Sequence, residues 1–352
     1  MKILVISLAG IGDCLIASPL IKELRKNFPN AKIDVFVMWN SAKILLEKNP
    51  FIDKIYQLNM FEKGHFKSLN FCLKLRRVKY DITINTHPQS KIQYRIVSKI
   101  INGRKRLSHL YGRRNLIDKF LVNKIIKQRY DISNIDNNLN LLKILGISRI
   151  VRGKNYEIFL SEENKKNSQE FIKKNKLRNK IIGFHVGSGT TKNIKLRRWA
   201  LKNYIELIKR ILNENKKINI LLFGGPEEKF ENEKIIETIK DKRIFLVETK
   251  NIRESAGIIE KCHLFISVDT LLMHIASAMK VKNQIIIGGP TYGKTVEPKT
   301  NPIVIQSDLK CVPCYKYDGK GIICVQREKM KCLKQITPDK VYDVVKEVIK
   351  NE

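Results

Sequence analysis

The sequence predicts an α/β protein built from two doubly wound, Rossmann-like halves. Short runs rich in Ile, Val and Leu alternate with segments of helical periodicity along the whole chain, the pattern of parallel strands covered by helices on both faces. A strand, a glycine-containing loop and a helix follow one another near the amino terminus and again after residue 180. The 352 residues exceed what one core usually organises, so two domains of about 150–180 residues are expected.

In chain order, residues 2–8 read as a buried first strand. Gly10 and Gly12 follow, then a helix over 13–27 with Ile16, Leu20, Ile21 and Leu24 on one face. Pro29 and Asn30 punctuate before a strand at 32–38; further strands are expected at 54–58 and 81–85, and helices near 41–48, 66–77 and 90–100. Residues 104–135 are basic and weakly patterned, and a helix over 136–145 stops at Gly146. The polar stretch 152–179, with one helix at 162–174, is the expected boundary, giving domains 1–160 and 161–336 and a last helix within 337–352. The second half repeats the alternation, with strands at 180–185, 218–223, 244–247, 263–267 and 284–287 and helices between them; 338–350 is amphipathic through Val341, Val344, Val345 and Val348. Two such halves facing each other would leave a cleft at the carboxyl ends of their strands, where doubly wound folds place ligands.

Composition removes several classes. With 43% hydrophobic residues and only 10 prolines the chain is not disordered, and no run of about 18 apolar residues is present to span a membrane. The apolar start is too short for a signal peptide and Asp13 follows at once. No amphipathic anchor with an aromatic-rich apolar face stands out. Seven cysteines are too few for a disulfide scaffold of this size, which favours a reducing cytoplasm. The 68 Lys and Arg against 34 Asp and Glu give a net charge of +34. Such a field draws nucleic acid, acidic membrane or phosphorylated substrate, although a Lys/Asn/Ile-rich bias on solvated faces gives the same count. A recognition helix, zinc-finger His pairs and an aromatic-interleaved basic sheet are all missing, so no nucleic-acid partner is expected.

Four motifs carry chemistry. In Ser7-Leu8-Ala9-Gly10-Ile11-Gly12-Asp13 the glycines permit a tight turn, but the third glycine of the dinucleotide fingerprint is absent; Asp13 fits either a helix cap or a carboxylate aimed at a ligand. His185-Val186-Gly187-Ser188-Gly189-Thr190-Thr191, followed by Arg197-Arg198-Trp199, offers N–H, hydroxyl and cationic donors to a phosphate, or is a plain solvated loop. Gly224-Gly225-Pro226-Glu227-Glu228 opens an acidic helix start that caps itself or accepts ribose hydroxyls. Asp269-Thr270, one turn before His274 on the same helix face, stands where a strand gives way to a helix and can hold a pyrophosphate; His274 also fits a satisfied core histidine.

Together and in this order, the motifs resemble glycosyltransferase family 9, the heptosyltransferases of lipopolysaccharide core assembly, over nearly the whole chain. The resemblance implies a GT-B fold, two facing Rossmann-like domains with a cleft between them, and inverting transfer of heptose from ADP-heptose without a catalytic cofactor. It implies Asp13 as general base, Ser188 and Arg197 on donor phosphates, Glu228 with Glu227 on the ribose, Asp269 on sugar hydroxyls, and Thr270 and His274 on pyrophosphate. Two departures bear on the donor. Leu271 stands where the family usually has Gly, and Arg197 where it usually has Lys, a fork in place of a point charge. Independently of the name, the chain has no Asp-x-Asp pair for a divalent ion, and helix amino termini with Arg and His can stabilise a departing diphosphate.

The acceptor expected from this resemblance is an anionic glycolipid at the cytoplasmic face of the inner membrane, reached by peripheral contact. The basic clusters 74–79 and Arg104, Lys105, Arg106, Arg113 and Arg114 are its candidate ligands, or solvated basic loops. Another nucleotide sugar or a protein Ser/Thr acceptor is the alternative within the family. Last, Cys311, Cys314, Cys324 and Cys332, spaced C-x2-C-x9-C-x7-C, read as a closed structural site for zinc or iron, or as reduced structural thiols. Cys14, Cys72 and Cys262 read as small buried apolar residues.

Overall fold

The structure is a computed structural model, and it describes residues 1–111, 116–151, 153–189, 194–291, 302–315 and 321–350. The chain divides into two compact units, one formed by Met1–Phe159 and the other beginning at Leu160.

Unit 1 contains β1 (Lys2–Ser7), α1 (Ile11–Ile16), α2 (Ser18–Asn27), β2 (Lys32–Val37), α3 (Asn40–Leu46), β3 (Lys54–Gln57) and α4 (Met60–Arg76). It continues with β4 (Ile82–Asn85), α5 (Ile92–Ile101), β5 (Lys105–Leu110), α6 (Leu116–Leu121), β6 (Lys124–Lys127) and α7 (Asn134–Ile144). Its six strands are all parallel in the order β3-β2-β1-β4-β5-β6. β1 lies centrally and every residue after Lys2 is buried, which is why it reads as an unbroken apolar run and not as an alternation. Leu4, Ile6, Phe36, Leu75, Val97 and Ile101 form the core beneath α4 and α5.

Unit 2 contains α8 (Glu162–Lys174), β7 (Lys180–His185), α9 (Leu201–Glu214), β8 (Ile218–Phe223), α10 (Lys229–Ile239), β9 (Ile244–Leu246) and α11 (Ile252–Ile259). It ends with β10 (Leu264–Val268), α12 (Leu271–Ala278), β11 (Asn283–Ile287), β12 (Pro302–Ile305), α13 (Lys331–Lys334) and α14 (Pro338–Lys350). The sheet is again parallel, in the order β12-β11-β10-β7-β8-β9. Read from the first strand of each unit the two orders are the same, and both reverse direction beside that strand, between β1 and β4 and between β7 and β10. In doubly wound sheets that reversal opens a crevice at the strands' carboxyl ends.

Three sequence expectations change. The helix expected over 13–27 is two helices broken at Ala17, because Pro19, in the first turn of α2, has no N–H to continue the ladder of α1. Residues 104–135, read as weakly patterned, hold β5, α6 and β6. β5 is obscured because Ser108 and His109 are polar yet buried, and β6 is an edge strand with lysine at both ends. The helix expected at 66–77 begins at Met60 and breaks at Gly64 (φ 73°), and it carries an outward apolar ridge that the absence of an expected anchor did not foresee.

Unit 1 buries two imidazoles side by side. His87 and His109 are 5.5 Å apart between ring centroids. His109 Nε2–H donates to the Asn137 carbonyl (2.9 Å). His87 Nε2 lies 3.1 Å from Asn134 Oδ1 and its Nδ1 3.1 Å from the Tyr111 hydroxyl, which itself accepts the Gln89 N–H at 2.9 Å. These partners fit a neutral ring that donates through Nε2 and accepts through Nδ1. Burial pushes His109 down to about 4, and it pushes His87 well below the ordinary value, helped by its neighbour. The unfolded chain therefore binds more protons than the folded one below pH about 6.5, so stability falls as pH drops from about 6.5 towards 4. His109 alone contributes up to about 3 kcal/mol to that loss, and His87 adds to it in the same direction. Thermal melting of His109→Gln against pH is expected to be flatter than wild type across this window; an unchanged slope would contradict the buried neutral ring.

Candidate functional site

In unit 1, α1 starts immediately beyond the carboxyl end of β1. Gly10 is its N-cap and Asp13 its third residue, with Oδ2 accepting the Gly10 N–H at 2.8 Å. The capping role is thus realised, on a carboxylate that remains partly exposed. The loop before it is anchored twice: Gln89 Oε1 accepts the Leu8 N–H (3.2 Å), and Trp39 Nε1–H donates to the Ala9 carbonyl (2.8 Å). Tyr94 and Tyr111 lie within electrostatic reach of Asp13; burial raises both phenols and the Asp13 charge raises them further.

The basic residues of unit 1 separate. Arg104 and Arg106 flank the amino-terminal end of β5, level with the start of β1 through β4, at the opposite edge of the parallel sheet from Asp13. Arg106 donates to the Gly103 and Leu121 carbonyls at 3.0 Å each, and Arg104 pairs with Asp81 at 3.3 Å. Both make local contacts at this end of the sheet, away from Asp13, whereas they were expected at the acceptor. Arg113 and Arg114 lie outside the described residues.

In unit 2 the expected donor residues converge at the carboxyl ends of β7, β8 and β10. Thr270 is the N-cap of α12; its hydroxyl accepts the Met273 N–H at 3.5 Å and meets His185 Nδ1 at 3.0 Å. Beside it Asp269 takes Arg197 Nη1 at 3.4 Å, a pair whose side chains are both under a tenth exposed, and the Asp269 carbonyl receives the same nitrogen at 3.3 Å. His274 Nε2 is 3.9 Å from Asp269 Oδ1. Burial lowers His274 to about 4; Asp269 opposes that shift and Arg197 adds to it, so the ring is neutral at pH 7 and offers an N–H, not a charge. The Arg197 guanidinium also lies over the Tyr315 ring, 4.5 Å from its centroid.

Glu228 forms the other half of the cluster. It accepts Arg198 Nη2 (3.2 Å) and the Gly225 N–H (3.0 Å), with His185 Nε2 at 3.9 Å. Burial would raise this carboxyl, but His185, the Gly225 N–H and Arg198 together hold it below the usual range. A Cβ at Gly187 would stand 2.1 Å from Glu228 Oε1, so this glycine is what lets the carboxylate cross the β7 loop. Arg198 donates to the Ser188 carbonyl (3.0 Å) and approaches its buried hydroxyl (3.4 Å). Glu227, by contrast, is exposed.

Sequence reasoning thus named Ser188, Arg197, Glu227, Glu228, Asp269, Thr270 and His274, and did not see the structural part that three further residues play among them. His185 links Thr270 to Glu228, and Arg198 links Glu228 to the Ser188 loop; both lie in motifs already noted. Tyr315 stands 118 positions after Arg197, and no local pattern could have revealed it.

The four tail cysteines belong to unit 2. Burial raises the Cys332 thiol, and Cys314, Cys324 and Cys311 add to the shift, which places the four sulfurs in electrostatic reach of one another. The Met330 N–H points at Cys324 Sγ (3.4 Å) and Gln326 Nε2 at Cys311 Sγ (3.3 Å), donors of the kind that stabilise thiolates. Among the described residues, no group of three or more His, Cys, Asp or Glu stands in ligand geometry for a metal ion. Thiolates are ligands that zinc and iron favour, but these four do not stand in a preset metal site.

Comparison with known proteins extends this picture to the whole chain. The sequence model of glycosyltransferase family 9 (heptosyltransferase) matches residues 69–321. Lipopolysaccharide heptosyltransferase 1 of Campylobacter coli is 25% identical over 96% of this chain and all of its own. The crystal structure of a family 9 glycosyltransferase from Veillonella parvula superposes with a TM-score of 0.78 at 21% identity, covering 100% of this chain and 97% of the other. For ADP-heptose heptosyltransferase II of E. coli the TM-score is 0.73 at 18% identity, covering 100% and 99%. The fold is accordingly the α/β GT-B fold of those enzymes. Because the match takes in well over half of the chain, the chain belongs to glycosyltransferase family 9, the heptosyltransferases.

Proposed function

We propose that this glycosyltransferase moves heptose from ADP-heptose to an anionic lipopolysaccharide-core acceptor, with inversion and without a catalytic metal ion, at the cytoplasmic face of the inner membrane. The observation that supports this most is the set of groups around the start of α12: the Thr270 hydroxyl, the N-terminal N–H groups of the helix, neutral His274 and the Arg197 guanidinium. Such donors stabilise the charge that grows on a diphosphate leaving group as the glycosidic bond breaks. Arg197 and Ser188 would hold the phosphates and Asp269 the sugar hydroxyls. Exposed Glu227 is better placed than buried Glu228 to accept the ribose, with Glu228 shaping the loop through Arg198. Leu271, in the first turn of α12, narrows the approach to the backbone and bears on how the donor seats.

Asp13 would take the proton from the acceptor hydroxyl as that oxygen attacks the anomeric carbon from the face opposite the nucleoside diphosphate, which leaves with the bonding electron pair. Its place just beyond the carboxyl end of β1, on a partly exposed side chain, suits that role. Arg113 and Arg114 are retained as candidate acceptor contacts. We further propose that Cys311, Cys314, Cys324 and Cys332 hold a structural zinc or iron ion, since four protein ligands leave no open position for chemistry.

Three measurements check this reading. Asp13→Asn is expected to lower the transfer rate by about 10²–10⁴-fold while the melting shift with ADP-heptose stays near wild type; wild-type turnover would remove Asp13 from the mechanism. Arg197→Ala is expected to weaken ADP-heptose binding at least about tenfold, and equal melting shifts with ADP-, UDP- and GDP-sugars in the wild type would argue against the donor assignment. Elemental analysis of protein purified without chelator should find about one zinc or iron per chain, falling to background in a Cys311→Ser/Cys314→Ser variant.

A further inference from the structure

Unit 1 carries a surface that the transfer chemistry leaves unused. α4 turns Phe71, Cys72 and Leu75 towards the sheet, and the Phe71 ring lies 5.2 Å from that of Phe36. Its opposite side is not polar. Phe66, Leu69 and Leu73 recur at i, i+3 and i+7 and face solvent, Phe66 at 83% exposure, and Phe61 ahead of the Gly64 break is 76% exposed. At 3.6 residues per turn the three fall within an arc of about 60°. Lys67 and Lys74 border that arc on one side, His65 and Arg76 on the other. From residue 63 to residue 80 the chain has six Lys and Arg and no Asp or Glu.

The ridge continues onto its neighbours. α4 packs against α5 and α5 against α6, and these helices expose Ile96, Ile117 and Phe120, with Lys99 Nζ 4.0 Å from the Phe120 ring centroid. Seven of the fourteen large apolar side chains exposed among the described residues therefore sit on this one helical layer. Scattered apolar residues need no explanation, whereas a contiguous set rimmed by charge of one sign does.

We propose that the outer face of α4, extended by α5 and α6, docks on an anionic phospholipid bilayer. Phe66, Leu69 and Leu73 enter the boundary between headgroups and acyl chains, and Lys63, Lys67, Lys74 and Arg76 meet lipid phosphates. This is the geometry of an in-plane amphipathic helix: an apolar stripe flanked on both sides by cations whose stems reach back along it. A second copy of this chain fits the surface poorly, because a two-fold contact through Phe66, Leu69 and Leu73 would set the same cations against each other, with Glu62, ahead of the Gly64 break, the one α4 carboxylate to offset them. The inference rests on the membrane-side acceptor proposed above for its purpose, and on the surface itself for its chemistry.

The test is flotation of the full chain with vesicles of phosphatidylglycerol and phosphatidylcholine, against phosphatidylcholine alone. Wild type should float with the anionic vesicles and not with the neutral ones. Phe66→Ser/Leu73→Ser should lose about tenfold or more of that binding, while its circular dichroism melt, its melting shift with ADP-heptose and its transfer to a de-acylated soluble acceptor stay as in wild type. A conservative variant, Phe66→Trp, should keep binding and shift its emission to the blue with anionic vesicles only. Unchanged flotation of the double variant, or an emission indifferent to anionic vesicles, would overturn the proposal. So would a wild-type dimer that the double variant splits while vesicle binding stays the same. If no soluble acceptor is turned over by either protein, the transfer reading fails and the flotation result still stands.

Discussion

Arg197 and Asp269 meet with both side chains withdrawn from water, and the arrangement of unit 2's loops depends on that contact. A guanidinium and a carboxylate taken out of solvent cost several kcal/mol each unless they face one another and are otherwise satisfied. The pair therefore holds the segment after β7 against the start of α12, although the two lie 72 positions apart. His185–Thr270 and Glu228–Arg198 extend the same constraint to the ends of β7 and β8. What results is a cluster whose parts hold one another in position, the arrangement that the proposed binding of a diphosphate would use. Preorganisation of that kind lowers the cost of stabilising a charge that appears only as a bond breaks.

Much of this was legible in the chain. Parallel strands buried on both faces leave nearly pure Ile, Val and Leu runs, and glycines mark where those runs end, so the order of elements and the loops with chemistry could be read directly. Signals failed where burial and polarity coincide. His109 and Ser108 sit inside β5 because their hydrogen bonds are made within unit 1, and a polar buried strand has no hydrophobic period to detect. Long-range contacts failed for another reason: Tyr315 on Arg197 and Gln89 on the Leu8 N–H are set by topology, which local spacing does not encode. The basic clusters were the least informative, since charge marks a solvated surface whether or not anything binds there. Arg104 and Arg106 illustrate this: they stand at the amino-terminal end of β5, in contact with local carbonyls and Asp81.

The two units use the same topology for different electrostatic ends. In unit 1 the first helix after the central strand begins with a glycine cap and a carboxylate, so the strand end is acidic at short range within a strongly cationic chain. In unit 2 the equivalent strand end leads into Gly187 and Ser188, and the helix beyond the neighbouring strand presents a hydroxyl and a neutral imidazole, met by Arg197 from the segment after β7. A single fold thereby carries a carboxylate at one switch point and hydrogen-bond donors at the other, with the difference set by a handful of loop residues.

The core of unit 2 closes with its last helix. Val341, Tyr342, Val345 and Val348 are buried with Ile208, Ile211 and Leu222, and Trp199 Nε1–H is satisfied only by the Ile336 carbonyl at 2.7 Å. During synthesis, unit 1 has all the strands and helices of its own sheet once residue 159 has left the ribosome. Unit 2 must wait for residues near 348 before its central apolar layer is sealed and its buried indole has an acceptor. Its half-made sheet is thus the species most exposed to chaperones and proteases, while the part of the chain made first is already folded.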